Sequence, residues 1–143
     1  MKAKTIGDIM SEQVMSILPS ETLGDAFRIM NDYRFRHVPV VNEDQEIIGI
    51  LSDRDIQRAM IAEGLGSEQM SDQDLFLQNH PVSEVMSVEP ETIDRDATIA
   101  DGAKILLENQ FDCLAVTEGL RLVGIVTSTD FLKTFAESAE VAS

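Results

Sequence analysis

The chain is poor in residues that crosslink, bind soft metals or cross membranes. Its 143 residues include one cysteine, two histidines and no tryptophan. One cysteine forms no internal disulfide, which fits a reducing cytoplasm, and these few ligands do not favour a soft-metal site. No apolar run approaches the roughly 20 residues that span a bilayer, and residues 1–5 lack an apolar signal segment. We therefore expect cytoplasmic localisation and no membrane partner.

Positive charge is also scarce. The chain has 11 Lys and Arg against 26 Asp and Glu, a net charge of -15. Residues 59–94 contain no Lys or Arg at all but eight acidic residues. Such a surface repels a phosphate backbone, so we expect no nucleic-acid partner. With 43% hydrophobic and 26% charged residues, the composition is that of a globular protein.

The chain contains an internal repeat. Residues 49–55 (GILSDRD) return as residues 124–130 (GIVTSTD), and upstream residues recur at an offset of 76: Met10, Ser11, Thr22, Asp25, Ile29, Phe35 and Val40 match Met86, Ser87, Thr98, Asp101, Ile105, Phe111 and Val116. A repeat of this size indicates two copies of one supersecondary unit that bury a shared face. We expect a first repeat over residues 6–62, a linker over 63–81, a second repeat over 82–136 and a frayed tail over 137–143.

Each repeat predicts the element order β-α-β-β-α. In the first repeat we expect strands at 14–18, 37–41 and 47–51, with helices beginning after Thr22 and Ser52. Each helix start pairs its hydroxyl residue with an aspartate three residues later, Asp25 or Asp55, in the pattern of a capping box. The second repeat follows the same order. The predicted fold class is α/β (α+β), two repeats related by pseudo-twofold symmetry with sheets packed against helices and clefts between the repeats.

The repeated Gly-x-x-Ser/Thr-x-x-Asp motif joins a strand end to a helix start. The glycine allows a ligand or backbone to approach closely. The hydroxyl lies at the N-cap, where free N–H groups and the helix dipole favour an anion such as phosphate. The aspartate, one turn later, presents a carboxylate that can accept hydrogen bonds from both hydroxyls of a ribose.

With both motifs and the Val38-Pro39-Val40 strand, nearly the whole chain resembles a tandem pair of the CBS (cystathionine β-synthase) domain family. The resemblance implies adenosine-containing ligands in two clefts. Ser52 and Thr127 would then reach phosphate or ribose, and Asp55 and Asp130 would hold ribose. The base would be lined by the segment before the second strand of each repeat: Arg36, His37, Val38 and Pro39 in one, and Asp112, Cys113 and Leu114 in the other.

Capping alone is the alternative for both aspartates, because Thr22–Asp25 and Thr98–Asp101 show the same pattern where no ligand is expected. The first site also carries Arg54 and Arg58 on one helical face, either for phosphate or for surface ion pairs with Asp53 and Asp55. The second has Thr129, Asp112 and Ala115 where the first has Arg54, Arg36 and Pro39. Phosphate binding is therefore expected at the first site, and an adenosine derivative without polyphosphate, or no ligand, at the second.

No nucleophile–base pair is visible, so we expect a regulatory protein and not an enzyme. Cys113 in a strand is interpreted as a buried structural thiol. No cofactor is expected beyond the adenine nucleotide itself, with Mg²⁺ only alongside ATP. We expect a stand-alone sensor pair that dimerises through helix faces carrying Phe27, Phe131 and Phe135 and signals to a target protein that the sequence does not identify. The alternative is a ligand-free dimeric scaffold that docks a basic partner.

Overall fold

The computed structural model describes residues 3–88 and 90–142. The chain divides into two compact units: the first unit is Met15–Pro90, and the second unit combines Met1–Val14 with Glu91–Ser143. The helices are α1 (Ile6–Ile9), α2 (Leu23–Tyr33), α3 (Asp53–Ala62), α4 (Met70–Asn79), α5 (Ile99–Asn109) and α6 (Ser128–Ala142). The strands are β1 (His37–Val41), β2 (Ile47–Ser52), β3 (Ser87–Val88), β4 (Thr92–Asp94), β5 (Cys113–Glu118) and β6 (Arg121–Thr127). No helix among the described residues is long and apolar enough to cross a bilayer.

The first unit is a three-stranded sheet with helices over its buried face. Its strand order is β1-β2-β3, and both pairings are antiparallel. Val38, Val40 and Leu51 have no exposed surface and pack with buried residues of α2, α3 and α4 in one core. The capping box predicted for α2 is confirmed: Asp25 N–H donates to Thr22 Oγ1, and Thr22 N–H donates to Asp25 Oδ2, both at 3.1 Å. The cap begins the helix at the residue where its apolar face begins.

The second unit repeats this plan. β4 pairs parallel with β5, and β5 pairs antiparallel with β6. Leu114, Val116 and Val126 pack with Leu106 of α5 in a separate core. The predicted α/β fold class is confirmed, and the strand, helix, strand, strand, helix order is complete in this unit.

The first predicted strand of the first repeat is the main local difference. Residues 14–18 form only an isolated parallel bridge, between Ile17 and Val40, where the second unit has β4. Ile17 N–H donates to the Pro39 carbonyl at 3.0 Å, and Val41 N–H donates to the Ile17 carbonyl at 2.9 Å. Pro19 lacks the N–H that would extend this ladder, which accounts for the shorter pairing.

The segment predicted as a linker takes part in the first core. Residues 70–79 form α4, and Leu77 is buried while Phe76 packs against the same core. The segment also ties back to α2, since Leu23 N–H donates to the His80 carbonyl at 2.9 Å. At the other end of the chain, α6 continues through Ala142, so residues 137–142 are helical where we expected a frayed tail. Ser143 lies outside the described residues.

The N-terminal end of the first repeat belongs to the second unit, together with residues Glu91–Ser143. Ile6 is fully buried in the second core, and its N–H donates to the Ala97 carbonyl at 2.9 Å. Ser11 and Ile125 exchange two backbone hydrogen bonds at 2.9 and 3.0 Å. Residues 82–88 do the same in the first unit, where Val82 is buried and β3 pairs with β2. Each repeat therefore begins with a segment that completes the fold of the other unit.

Candidate functional site: two strand-to-helix junctions

The first junction joins β2 to α3 and carries Ser52 and Asp55. Asp55 N–H donates to Ser52 Oγ, and Ser52 N–H donates to Asp55 Oδ2, both at 3.0 Å. The second carboxylate oxygen, Oδ1, faces Arg58 Nη1 at 3.8 Å. The Asp55 side chain is 19% exposed and that of Arg58 is 76% exposed. One carboxylate edge therefore caps the helix, and the other faces a partly solvated cation.

The second junction joins β6 to α6 and carries Thr127 and Asp130. Both the backbone N–H and the hydroxyl of Thr127 donate to Asp130 Oδ2, at 2.8 and 3.1 Å. Thr134, one turn further along, donates its hydroxyl to the Asp130 carbonyl at 2.9 Å. At the first junction both hydrogen bonds of the predicted capping box are present, and at the second the Asp130 carboxylate accepts from Thr127. At the second junction the Thr127 hydroxyl acts as a donor, whereas the Ser52 hydroxyl accepts from Asp55.

Equivalent backbone contacts hold a neighbouring strand beside each junction. Asp53 N–H donates to the Arg36 carbonyl at 3.0 Å, and Ser128 N–H donates to the Asp112 carbonyl at 3.0 Å. His37 lies directly opposite Ser52 in the ladder, and Cys113 lies opposite Thr127. The structure therefore brings Arg36 and His37 next to Ser52 in one unit.

The predicted base-lining residues divide by strand alternation. Val38 and Leu114 belong to the hydrophobic cores and are 0% and 1% exposed, so their side chains already have partners within their own units. The residues that alternate with them lie on the other side of the sheet: His37 and Cys113 are half-buried, and Pro39 is buried outside the core. We keep His37, Pro39 and Cys113 as side-chain candidates and assign Val38 and Leu114 only a backbone role.

Charge distinguishes the two junctions as the sequence indicates. Arg36 and Arg54 are exposed and make no ion pair among the described residues, whereas Arg58 pairs with Asp55. The corresponding positions beside the second junction are Asp112 and Thr129, both exposed. The first junction therefore offers two unpaired guanidinium groups to an anion.

Cys113 is held as a neutral thiol. Burial and, to a smaller extent, the adjacent Asp112 carboxylate together raise the pKa of Cys113 to about 11. Because the thiolate is the nucleophilic form, the thiol is inert at neutral pH. Within residues 3–88 and 90–142, no group of three or more His, Cys, Asp or Glu residues is arranged to hold a metal ion.

The motif glycines leave room for the protein's own chain. A Cβ built on Gly49 would lie 2.7 Å from Met86 Sδ and 2.9 Å from the Ser87 carbonyl oxygen. A Cβ on Gly124 would lie 2.5 Å from Met10 Sδ and 2.9 Å from the Ser11 carbonyl oxygen. Of the two uses of the glycine that the sequence left open, close backbone approach is the one found in both units.

A surface cavity adjoins Asp130 in the second unit. It measures about 370 Å³, and it is lined by Ala3, Asp8, Ile9, Asp130, Lys133, Thr134 and Glu137. Reasoning from the motif missed the N-terminal members of this set. The signal was present, because Ile6, Asp8, Ile9, Met10 and Ser11 recur as Val82, Glu84, Val85, Met86 and Ser87 at the repeat offset of 76.

The fold and the two junctions define a tandem pair of one domain type. The CBS domain family model matches residues 6–62 and 82–137, and the chain belongs to this family. The CBS domain-containing protein YhcV of Bacillus subtilis is 29% identical over 126 residues, covering 88% of this chain and 81% of YhcV. The chain spans only 33% of another relative, MJ1404 of Methanocaldococcus jannaschii, which is 26% identical over 96% of this chain.

Solved structures share the fold. The AcuB protein of Vibrio cholerae is 27% identical with a TM-score of 0.79, covering 99% of this chain and 96% of that one. CBSX2 of Arabidopsis thaliana, solved in complex with AMP, is 22% identical with a TM-score of 0.79 over 96% of this chain and 99% of its own. The CBS pair of MJ0100, solved with 5′-methylthioadenosine and S-adenosyl-L-methionine, is 21% identical with a TM-score of 0.75 over 94% and 97%.

Proposed function

We propose that this CBS pair is a regulatory sensor that binds adenosine-containing ligands at its strand-to-helix junctions. The observation that carries the proposal is the same in both units: a hydroxyl residue and an aspartate meet at a helix N-terminus, directly after a strand. A helix N-terminus attracts anionic groups, and a carboxylate one turn later accepts hydrogen bonds from a ribose. Two solved neighbours with this fold hold AMP in one case and methylated adenosine derivatives in the other.

Capping and ribose binding are compatible roles for Asp55. The cap uses Oδ2, which accepts the Ser52 N–H at 3.0 Å. Oδ1 faces only the exposed Arg58 guanidinium at 3.8 Å, a separation longer than a hydrogen bond. A ribose hydroxyl can therefore reach Oδ1 without displacing the cap.

Phosphorylated ligands should prefer the first unit. Arg54 is the second residue of α3, and the carbonyl of Arg36, the residue before β1, accepts the Asp53 N–H, so both arginines belong to the chain segments at the helix N-terminus. Arginine pairs with phosphate through charge-assisted hydrogen bonds. Divalent cations would enter only with a polyphosphate such as ATP.

Signalling would proceed through a change of shape or of self-association, limited by the difference in ligand affinity between the two states. Leu132 and Phe135 on α6 are 68% and 72% exposed, and Phe27 on α2 is 39% exposed. Phe131, the other expected interface residue, packs against the second core instead. Exposed apolar side chains on helices favour a homodimer, and sedimentation at micromolar concentration tests it. A monomer at every concentration, with and without ligand, would exclude this part.

A ligand-free scaffold is the second candidate, favoured by the net charge of -15, which would suit a basic partner protein. The two unpaired arginines beside the first junction favour the sensor. Calorimetry with AMP, ADP, ATP and S-adenosylmethionine separates the two, together with native mass spectrometry for co-purified nucleotide. We expect at least one ligand to bind. If none of the four ligands gives heat or a thermal shift at millimolar concentration, the sensor proposal is wrong and the ligand-free scaffold is the remaining candidate.

A further inference from the structure

The cavity beside Asp130 has an excess of negative charge. Its lining carries three carboxylates, Asp8, Asp130 and Glu137, against one ammonium group, Lys133. Among the described residues none of these four makes an ion pair with another side chain. The cavity volume, about 370 Å³, lies within the range of about 300–1,000 Å³ usual for small-molecule sites.

The corresponding carboxylates of the first unit face basic side chains, whereas those of the second make no ion pair among the described residues. Asp55, the counterpart of Asp130, faces Arg58 at 3.8 Å, and Glu84, the counterpart of Asp8, meets His80 at 2.7 Å. Glu137 has no acidic counterpart, because the repeat places Ala62 at that position. Glu137 is therefore the carboxylate that most distinguishes the second unit.

Two of the cavity carboxylates, those of Asp8 and Asp130, accept hydrogen bonds from neighbouring residues. Asp8 Oδ2 accepts the backbone N–H groups of Lys4 and Thr5 at 2.9 and 3.0 Å. These two hydrogen bonds lower the pKa of Asp8. Asp130 Oδ2 accepts two hydrogen bonds from Thr127, from its backbone N–H and from its hydroxyl.

We propose that this cavity selects an adenosine derivative whose 5′ substituent is uncharged or cationic, and that Glu137 is the residue that excludes phosphorylated ligands from it. The inference rests on the proposed function, since it takes Asp130 as the ribose partner. With the ribose at Asp130, the 5′ substituent extends along the cavity. A phosphate there meets like charges, whereas a sulfonium or amino group is attracted.

The NMR chemical shifts of isoleucine methyl groups report ligand binding at the two junctions separately in one sample. Ile9 lines the cavity, and Ile50 lies on β2 two residues before Ser52. The probes are S-adenosylmethionine, 5′-methylthioadenosine and ATP, each titrated into the full chain. We expect the first two to shift the Ile9 methyl at lower concentration than ATP, and ATP to shift Ile50 first.

Charge variants then test the assigned residue. In titrations followed by the Ile9 methyl signal, Glu137→Gln should raise the affinity for ATP by about three- to tenfold and lower the affinity for S-adenosylmethionine by a similar factor. The affinity for methylthioadenosine should not change. Lys133→Gln should have the opposite effects: it should weaken the binding of ATP and tighten the binding of S-adenosylmethionine. Glu108→Gln, a matched exposed change on α5 outside the cavity, should alter none of them.

Four results would overturn the inference. ATP shifting Ile9 below the concentrations of the other two ligands would show that charge does not select. An unchanged ratio of ATP to S-adenosylmethionine affinity in Glu137→Gln would remove Glu137 from the role. Shifts at Ile50 alone would reject the cavity as a site while keeping the proposed function. Shifts at neither methyl, with no heat in calorimetry, would reject both.

Discussion

Replacing Asp55 by alanine separates ligand contact from helix capping, the two roles open to this residue. The structure supplies a matched control at Asp25 in α2. Asp25 caps Thr22 with two hydrogen bonds of 3.1 Å, as Asp55 caps Ser52 with two of 3.0 Å. Asp25 also faces an arginine three residues later at 3.7 Å, and Asp55 does so at 3.8 Å. The two aspartates differ in their place in the fold and not in their local hydrogen bonding.

Both variants lose a similar capping interaction, which is worth about 1 kcal/mol of stability. The change at Asp55 should also remove charge-assisted hydrogen bonds to ribose, worth about 1.5–3 kcal/mol, or roughly 10- to 150-fold in affinity. The Asp25→Ala variant should bind ligand as the parent chain does. Urea denaturation gives the stabilities, and calorimetry with AMP at a temperature where all three proteins are folded gives the affinities.

Equal losses of affinity in the two variants would show that binding follows stability and not contact with Asp55. Unchanged affinity in Asp55→Ala, with stability reduced, would make Asp55 a capping residue alone. Either outcome would contradict the assignment of Asp55 to ribose.

Three further predictions follow from the same contacts. Arg54→Ala should weaken the binding of ATP far more than that of adenosine, and the difference should shrink as the salt concentration rises. Thr129→Ala should change neither affinity in calorimetry. A structure with the ATP phosphates beside Thr129 would contradict this prediction. Gly124→Ala should destabilise the chain by about 1–3 kcal/mol in urea denaturation, because its Cβ would meet Met10 Sδ at 2.5 Å; unchanged stability would contradict that close approach. Cys113 should resist alkylation in the folded chain at pH 8. Its thiol has a pKa of about 11 in the folded chain and 9.0 in the unfolded chain, so the free energy of unfolding should fall as the pH rises between these two values. Cys113→Ala should remove this contribution to the fall.

Local hydrogen-bonding patterns were predictable because their partners are close in sequence. The capping boxes at Thr22–Asp25 and Ser52–Asp55 join residues three apart, so residue type and spacing suffice. The strands at 37–41 and 47–52 follow from apolar, β-branched runs bounded by polar turns. The charge difference between the junctions is likewise visible in the sequence, because the second repeat has Asp112 and Thr129 where the first has Arg36 and Arg54.

What a side chain meets across the fold was not predictable in the same way. The one-turn helix α1 has no extended periodicity, and it is held because Ile6 is buried in the second core. Helix α4 lies in an acidic segment that looks like a linker, yet Leu77 and Phe76 anchor it to the first core. In both cases a few buried side chains outweigh weak local preference.

The sequence by itself determined the repeat and the family, because both are read from residue types and their spacing. It also determined strands β1 and β2 and the two hydroxyl–aspartate junctions, because these depend on residues that are adjacent or a few positions apart. Only the tertiary structure decided which chain segment passes over Gly49 and Gly124, and that Ala3, Asp8 and Ile9 line the cavity beside Asp130. Those outcomes depend on contacts between segments far apart in the chain. Burial of Ile6 and the backbone pairing of Ser11 with Ile125 place the N-terminal segment there, and no local pattern specifies its partner.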